Sequence, residues 1–146
     1  MPTQSLDRDV EKRLSDRDVR YTRGRRTVVT ALNSADGPMS AAELHERIGT
    51  DVPLSSLYRT LAVLEEAEVV MPHFGTRGIT RYELAEWLTG HHHHLLCVSC
   101  GTVDDIDVPQ PIEDEVRVIV DKIAALATFA PSGHALEIEG RCTKCQ

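Results

Sequence analysis

No stretch of this 146-residue chain is a long apolar run. The roughly eighteen consecutive apolar residues that mark a membrane-crossing helix are missing, so no transmembrane helix is expected. The N-terminal MPTQSLDRDVEKRLSDRDV is charged and lacks the apolar core of a signal peptide, which points to the cytoplasm. No internal repeat occurs, and no low-complexity tract beyond four histidines, which excludes a repeat array. There is no His-Glu-x-x-His pattern and no triad-like grouping of Ser, Cys and Asp. A hydrolytic metalloenzyme built on a His/Glu cluster therefore stays only as an alternative, one that needs an open coordination position for water. The length suits one ordinary domain or two small ones, each with a modest core.

Net positive charge is also lacking. The formal charge is −7, which argues against a nucleic-acid partner until its distribution is inspected. Residues 1–82 hold twelve Lys/Arg and twelve Asp/Glu, while residues 83–146 hold four and eleven, so the second half carries the whole excess. Within the neutral half, RDVRYTRGRR gathers Arg17, Arg20, Arg23, Arg25 and Arg26. A phosphate backbone responds to that local potential, not to the average.

The pattern changes near Gly90. Upstream it is mostly helical: LDRDVEKRLSD, then TRGRRTVVTALN with Thr22 as cap, then SAAELHERI, where Ser40 and Glu43 have capping-box spacing. LSSLYRTLAVLEEAE follows, with Leu57, Leu61 and Leu64 on one face. VVMPHF and TRYEL read as two strands joined by GTRG. Helices followed by a β-hairpin give the order of a winged helix-turn-helix. If Leu57, Leu61 and Leu64 face the core, then Ser55, Ser56, Tyr58, Arg59 and Ala62 face outward. The first residues of such a helix are the ones that read bases, and Arg23, Arg25 and Arg26 are the candidate phosphate contacts. Downstream, HLLCVSC, TVDDIDV and HALEIEG read as strands. PIEDEVRVIVDKIAALATF reads as a helix with Pro111 near its start and Val116, Val120, Ile123 and Ala127 at helical spacing. That half is α/β, and the whole chain is α+β.

Cysteine is scarce but placed in pairs. CVSC (Cys97, Cys100) and CTKC (Cys142, Cys145) supply the four sulfurs of a tetrahedral zinc site. With 41 residues between the pairs, such a site would staple the C-terminus to a distant strand. Redox or disulfide use is the alternative, but neither pair runs into a helix N-terminus that would activate a thiolate. Just upstream stands GHHHH. In an extended chain alternate side chains face opposite ways, so His91 and His93 point to one side and His92 and His94 to the other. The run would then serve two metal sites, the plain alternative being a solvated polar strand. Further ligands are at hand in His134, in the acidic opening of the helix (Glu113, Asp114, Glu115), in Glu83 and in His73. His45, inside a helix, reads as a surface residue.

VPLSSLYRTLAVLEEAEVV, RYEL, HHHHLLCVSCG and GHALEIEGRC, in that order and at similar spacing over about residues 17–146, resemble the ferric uptake regulator (Fur) family of metal-dependent transcription repressors. The resemblance implies a homodimer on a palindromic DNA operator, with a winged-helix DNA-binding domain over residues 1–86. A small α/β dimerisation and metal-binding domain would occupy residues 87–146. It places structural Zn(2+) on Cys97, Cys100, Cys142 and Cys145, and a second C-terminal-domain site on His91, His93, Glu113 and His134. The inter-domain regulatory site falls on Glu83, His92 and His94. Three departures stand out: His93 stands where many iron-responsive members have aspartate, AEWLTG before His91 is longer than usual, and Pro38 takes the place of a common histidine ligand. His73 becomes the candidate fourth regulatory ligand. A nitrogen and oxygen set with no spare thiolate suits Fe(2+), which is favoured, or Zn(2+) or Mn(2+). A winged-helix protein with purely structural zinc is the remaining alternative.

Overall fold

Capping chemistry sets the helix starts. In a computed structural model describing residues 3–74 and 77–146, the Thr22 side chain accepts from the Arg25 amide. Ser40 and Glu43 close a reciprocal capping box. Helix α1 (Thr3–Ser15) turns Leu6, Val10 and Leu14 inward; α2 (Arg23–Asn33) buries Val28, Val29 and Leu32. Helix α3 (Ala41–Ile48) contributes Leu44, and α4 (Leu54–Glu66) contributes Leu57, Leu61 and Leu64. Fully burying one such leucine is worth roughly 2 kcal/mol, and all of these sit in one cluster. Helix α4 ends in a tight reversal at Glu68, whose φ of 59° is left-handed, with the Val69 amide donating to the Leu64 carbonyl.

Strands β1 (Met39–Ser40), β2 (Val70–Phe74) and β3 (Thr80–Leu84) form an antiparallel sheet in the order β1-β3-β2. This is the winged helix-turn-helix expected, with β1 as a strand that the sequence did not announce. Gly75 and Thr76, which begin the expected GTRG turn, lie outside the described residues. The AEWLTG stretch is not a loose connector, because Glu86–Thr89 form the one-turn helix α5. Leu88 of α5 packs into the N-terminal core at 4% exposure.

The second sheet runs β5-β4-β6, from β4 (His93–Cys97), β5 (Val103–Ile106) and β6 (Glu137–Gly140). Strand β5 pairs antiparallel to β4 and sets His94 opposite Asp105; β6 pairs parallel and sets Cys97 opposite Gly140. Helix α6 (Gln110–Leu126) carries the α of this α/β half, and among its residues Glu113 alone is buried. Ile112, Ile119, Ile123 and Leu126 along it stay exposed within a single chain. No described helix is long and apolar enough to cross a membrane.

Candidate metal centres

Three groups of metal-ligand side chains converge among the described residues, each with its donor atoms within 4.8 Å of one another. The first is Cys97, Cys100, Cys142 and Cys145. Strand β4 delivers Cys97, and the turn to Cys100 is relieved at Gly101, whose φ is 78°. The parallel strand β6 brings the second pair alongside, so that the Cys142 amide donates to Cys97 Sγ at 3.4 Å. All four thiols are free. The Cys142 and Cys100 amides pull the Cys97 thiol down to about 6, while the neighbouring thiols, Cys142 first, push Cys145 up to about 12. Four sulfurs this close cannot all ionise without a cation. That is the donor set tetrahedral zinc takes.

The second group is His91, His93, Glu113 and His134. His93 Nε2 donates to Glu113 Oε2 at 2.8 Å, with His93 only 1% exposed. His91 Nε2 and His134 Nε2 face each other at 3.3 Å, and His134 Nε2 lies 3.0 Å from Glu113 Oε1. Yet Glu113 Oε1 and His93 Nδ1 are buried with no hydrogen-bond partner in proper geometry. A buried carboxylate oxygen left unsatisfied costs about 1–3 kcal/mol, so convergence without satisfaction fits a divalent ion better than a closed polar network. His93 holds the Glu113 carboxyl below the usual range, with burial opposing it.

The third group is Glu83, His92, His94 and Asp105. Glu83 reaches from β3, and the Glu83 carboxylate accepts from His92 Nε2 at 2.9 Å and from His94 Nε2 at 3.1 Å. His73, on the same face of the wing sheet, donates to Glu83 Oε1 at 2.5 Å and packs edge-on to His94 with centroids 4.4 Å apart. Asp105 Oδ1 is 3.4 Å from His94 Nε2. Burial disfavours the Glu83 anion, but the hydrogen bonds from His73, His94 and His92 outweigh it and hold the carboxyl far below its ordinary value. The Glu83 bond raises the His73 pKa against burial; burial lowers His92, and the Glu83 carboxylate together with the Gly90 carbonyl more than reverses it. Burial and the nearby Glu83 anion raise Asp105. Two carboxylates and two imidazoles converge here, with His73 bonded to one of those carboxylates, and they make a nitrogen–oxygen site for a hard or borderline divalent cation.

The histidine run therefore divides by alternation, His91 with His93 and His92 with His94, although regular strand begins only at His93. Asp105 was absent from the expected ligands. TVDDIDV reads as a strand, but which of its three acids faces His94 depends on the β4–β5 register, which no local pattern encodes. His45 joins none of the groups, and Asp114 and Glu115 are exposed.

On the outer face of α4, Ser55, Tyr58, Arg59 and Ala62 are exposed and Ser56 is half-buried. Arg23 is exposed at the start of α2. Arg25 donates to the Arg20 carbonyl, and Arg26 pairs with Asp7 at 2.8 Å while lying 4.3 Å over the Tyr21 ring. Arg26 thus already has a structural task.

The model of the ferric uptake regulator family matches residues 16–139. A ferric uptake regulation protein of Legionella pneumophila is 33% identical over 139 residues, covering 92% of this chain and 97% of that protein. The solved ferric uptake regulator of Vibrio cholerae superposes with a TM-score of 0.71 at 27% identity, over 90% of this chain and 98% of that one. A zinc uptake regulator solved with zinc and DNA superposes with a TM-score of 0.60 at 25% identity, over 99% and 95%.

Proposed function

The chain belongs to the ferric uptake regulator family of metal-responsive transcription regulators, and from that premise we propose a repressor gated at the Glu83 cluster. In this reading it binds a palindromic operator as a homodimer, in the cytoplasm, while a divalent ion is held by Glu83, His92, His94 and Asp105, with His73 as a further donor. Fe(2+) is favoured, and Zn(2+) or Mn(2+) are the other candidates; the cysteine quartet holds structural zinc. The family regulates transcription, so the hydrolytic alternative drops out.

One observation carries the assignment of the switch. Glu83 and His73 belong to the wing sheet, whereas His92, His94 and Asp105 belong to the second sheet or its approach. These donors converge only when the two units hold one mutual angle. That angle also sets the spacing of two recognition helices on one duplex. A ligand shifts a conformational equilibrium only through its differential affinity for the states, and a site shared between the units has that differential by construction. Ser55, Ser56, Tyr58 and Arg59 would meet base edges, with Arg23, Arg25 and Arg26 contributing to the basic face toward phosphate. The uncovered apolar side of α6 is the surface a second copy would bury.

The test is operator affinity against metal concentration for the wild type, His92→Ala/His94→Ala and His91→Ala/His93→Ala. The first double variant should lose the metal response and the second should keep a weakened one. Metal-independent operator binding by the wild type would leave only structural zinc; the reverse ranking of the variants would move the switch to the other cluster.

A further inference from the structure

The second cluster is also tied to the DNA-binding unit, through α5. His91 uses both ring nitrogens. Its Nε2 points into the cluster, and its Nδ1 meets Glu86 Oε1 at 3.1 Å. Glu86 opens α5, and the next residue, Trp87, donates from Nε1 to the Glu68 carbonyl at 2.7 Å. Glu68 is the left-handed residue that ends α4. Its carboxylate accepts from Arg13 at 3.1 Å and Arg17 at 3.3 Å, and the Arg13 guanidinium lies 4.1 Å over the Trp87 ring. Leu88, one residue further, is locked in the N-terminal core.

We propose that α5 is a strap in which Glu86 positions His91 for metal while Trp87 relays that position to the C-terminal end of the recognition helix α4. This rests on reading the His91 cluster as a metal site. A ligating histidine that donates its other ring nitrogen to a carboxylate is fixed in tautomer and orientation, and losing such a partner costs roughly 10–100-fold in metal affinity. Glu86 is 55% exposed, which places its contribution at the lower end of that range. Glu86 and Trp87 are adjacent in one helical turn closed by the Gly90 amide donating to the Glu86 carbonyl at 2.7 Å, so a shift of one moves the other. The cluster lies within one unit, yet its occupancy gains a mechanical route to α4 that a plain loop would not provide.

Trp87 is the only tryptophan of the chain and reports on the strap directly. The experiment titrates Zn(II), which does not itself quench emission, into the full chain with its cysteine-bound zinc in a His92→Ala/His94→Ala background. Calorimetry reads binding and Trp87 emission reads the strap; a Glu83→Gln background replaces the first if circular dichroism shows that it has not folded. Emission should change along the calorimetric isotherm, and Glu86→Ala should weaken that isotherm about tenfold and abolish the emission change. Trp87→Phe keeps the ring under Arg13 but removes the donor; it should bind Zn(II) as before while losing the metal-linked change in small-angle scattering. Binding with silent Trp87 emission, an unchanged isotherm in Glu86→Ala, or a persistent scattering change in Trp87→Phe would each overturn the strap. No heat of binding at all would instead overturn the reading of the cluster as a metal site.

Discussion

Substituting Gly37 by alanine tests whether closure of the two units controls metal binding at the Glu83 cluster. Gly37 lies between α2 and β1, pressed against β5. A Cβ there would collide with the Val103 carbonyl oxygen and sit 3.1 Å from Asp104 Cα. Both are backbone atoms and cannot rotate aside, while comfortable carbon contacts need about 3.5–4.0 Å. The units must therefore part locally. Beside this contact the Asp105 amide donates to the Asp36 carbonyl at 3.2 Å, already at the long end of the hydrogen-bond range, so a further half ångström or more breaks it. The bond is worth about 1 kcal/mol and relief of overpacking about 1–3 kcal/mol. Some 2–4 kcal/mol is then lost by the closed arrangement alone. A metal that selects that arrangement should bind roughly 30- to 700-fold more weakly. Calorimetric titration of Mn(II) into the zinc-loaded wild type, Gly37→Ala and Gly24→Ala would read this. Gly24 is the control, because a Cβ there meets nothing within 4 Å. Equal affinities for Gly37→Ala and wild type would refute the coupling.

Zinc should survive purification on Cys97, Cys100, Cys142 and Cys145, and its removal should unfold the second unit, since zinc can supply roughly 10 kcal/mol of folding free energy in small modules. Native protein without tight zinc by elemental analysis, and with all four thiols readily alkylated, would contradict this. Arg59→Ala should cost about 1–3 kcal/mol on the operator and relax sequence preference, whereas Arg23→Ala should weaken specific and random DNA alike and flatten the salt dependence. Equal losses on both DNAs for Arg59→Ala would reassign it to phosphate. Protons and metal compete at the Glu83 cluster. His73 and His92 are raised above their ordinary value, so in the metal-free protein their contribution is fully present below about pH 6.5 and fades as pH rises through the raised values. Metal needs the neutral rings, so its affinity should climb from pH 6 into the alkaline range with protons released. Calorimetry in buffers of different ionisation heat would expose a pH-flat affinity as the contrary result.

Local chemistry made much of this legible. The caps at Thr22 and Ser40, the leucine stripe of α4 and the two Cys-x-x-Cys turns each encode their structure within a few residues, and all appear where the pattern puts them. Alternation was enough to divide the histidines, although regular strand begins only at His93. What stayed hidden depends on partners far away in sequence. Strand β1 exists only because Met39 and Ser40 lie beside Tyr82 and Arg81. Asp105 is a donor only because β5 pairs with β4 in one register, and a slip of one residue would present Asp104 or Ile106 instead. Helix α5 is one turn long, too short for any periodicity to show.

Pro38 explains why the wing sheet, not the loop before it, supplies donors to the shared site. A residue before proline is pushed toward extended backbone, and proline itself fixes φ, so Asp36–Gly37–Pro38 is a stiff, narrow segment. Its carbonyls are used as acceptors, Asp36 for the Asp105 amide and Pro38 for the Arg81 guanidinium at 3.4 Å. Side chains are absent where the segment touches Val103 and Asp104, and that lets the two backbones approach more closely than any ring would permit. The same approach pins Asp105 by its amide, which leaves its carboxylate aimed at His94. Where a histidine on this loop would contribute nitrogen, this chain contributes a backbone clamp, an oxygen from Asp105 and an imidazole from the far wing strand at His73. The resulting set is richer in oxygen and carries two carboxylates. Two negative charges need neutralising before the units can rest together, and once the rings are neutral a divalent cation at these converging donors meets that requirement.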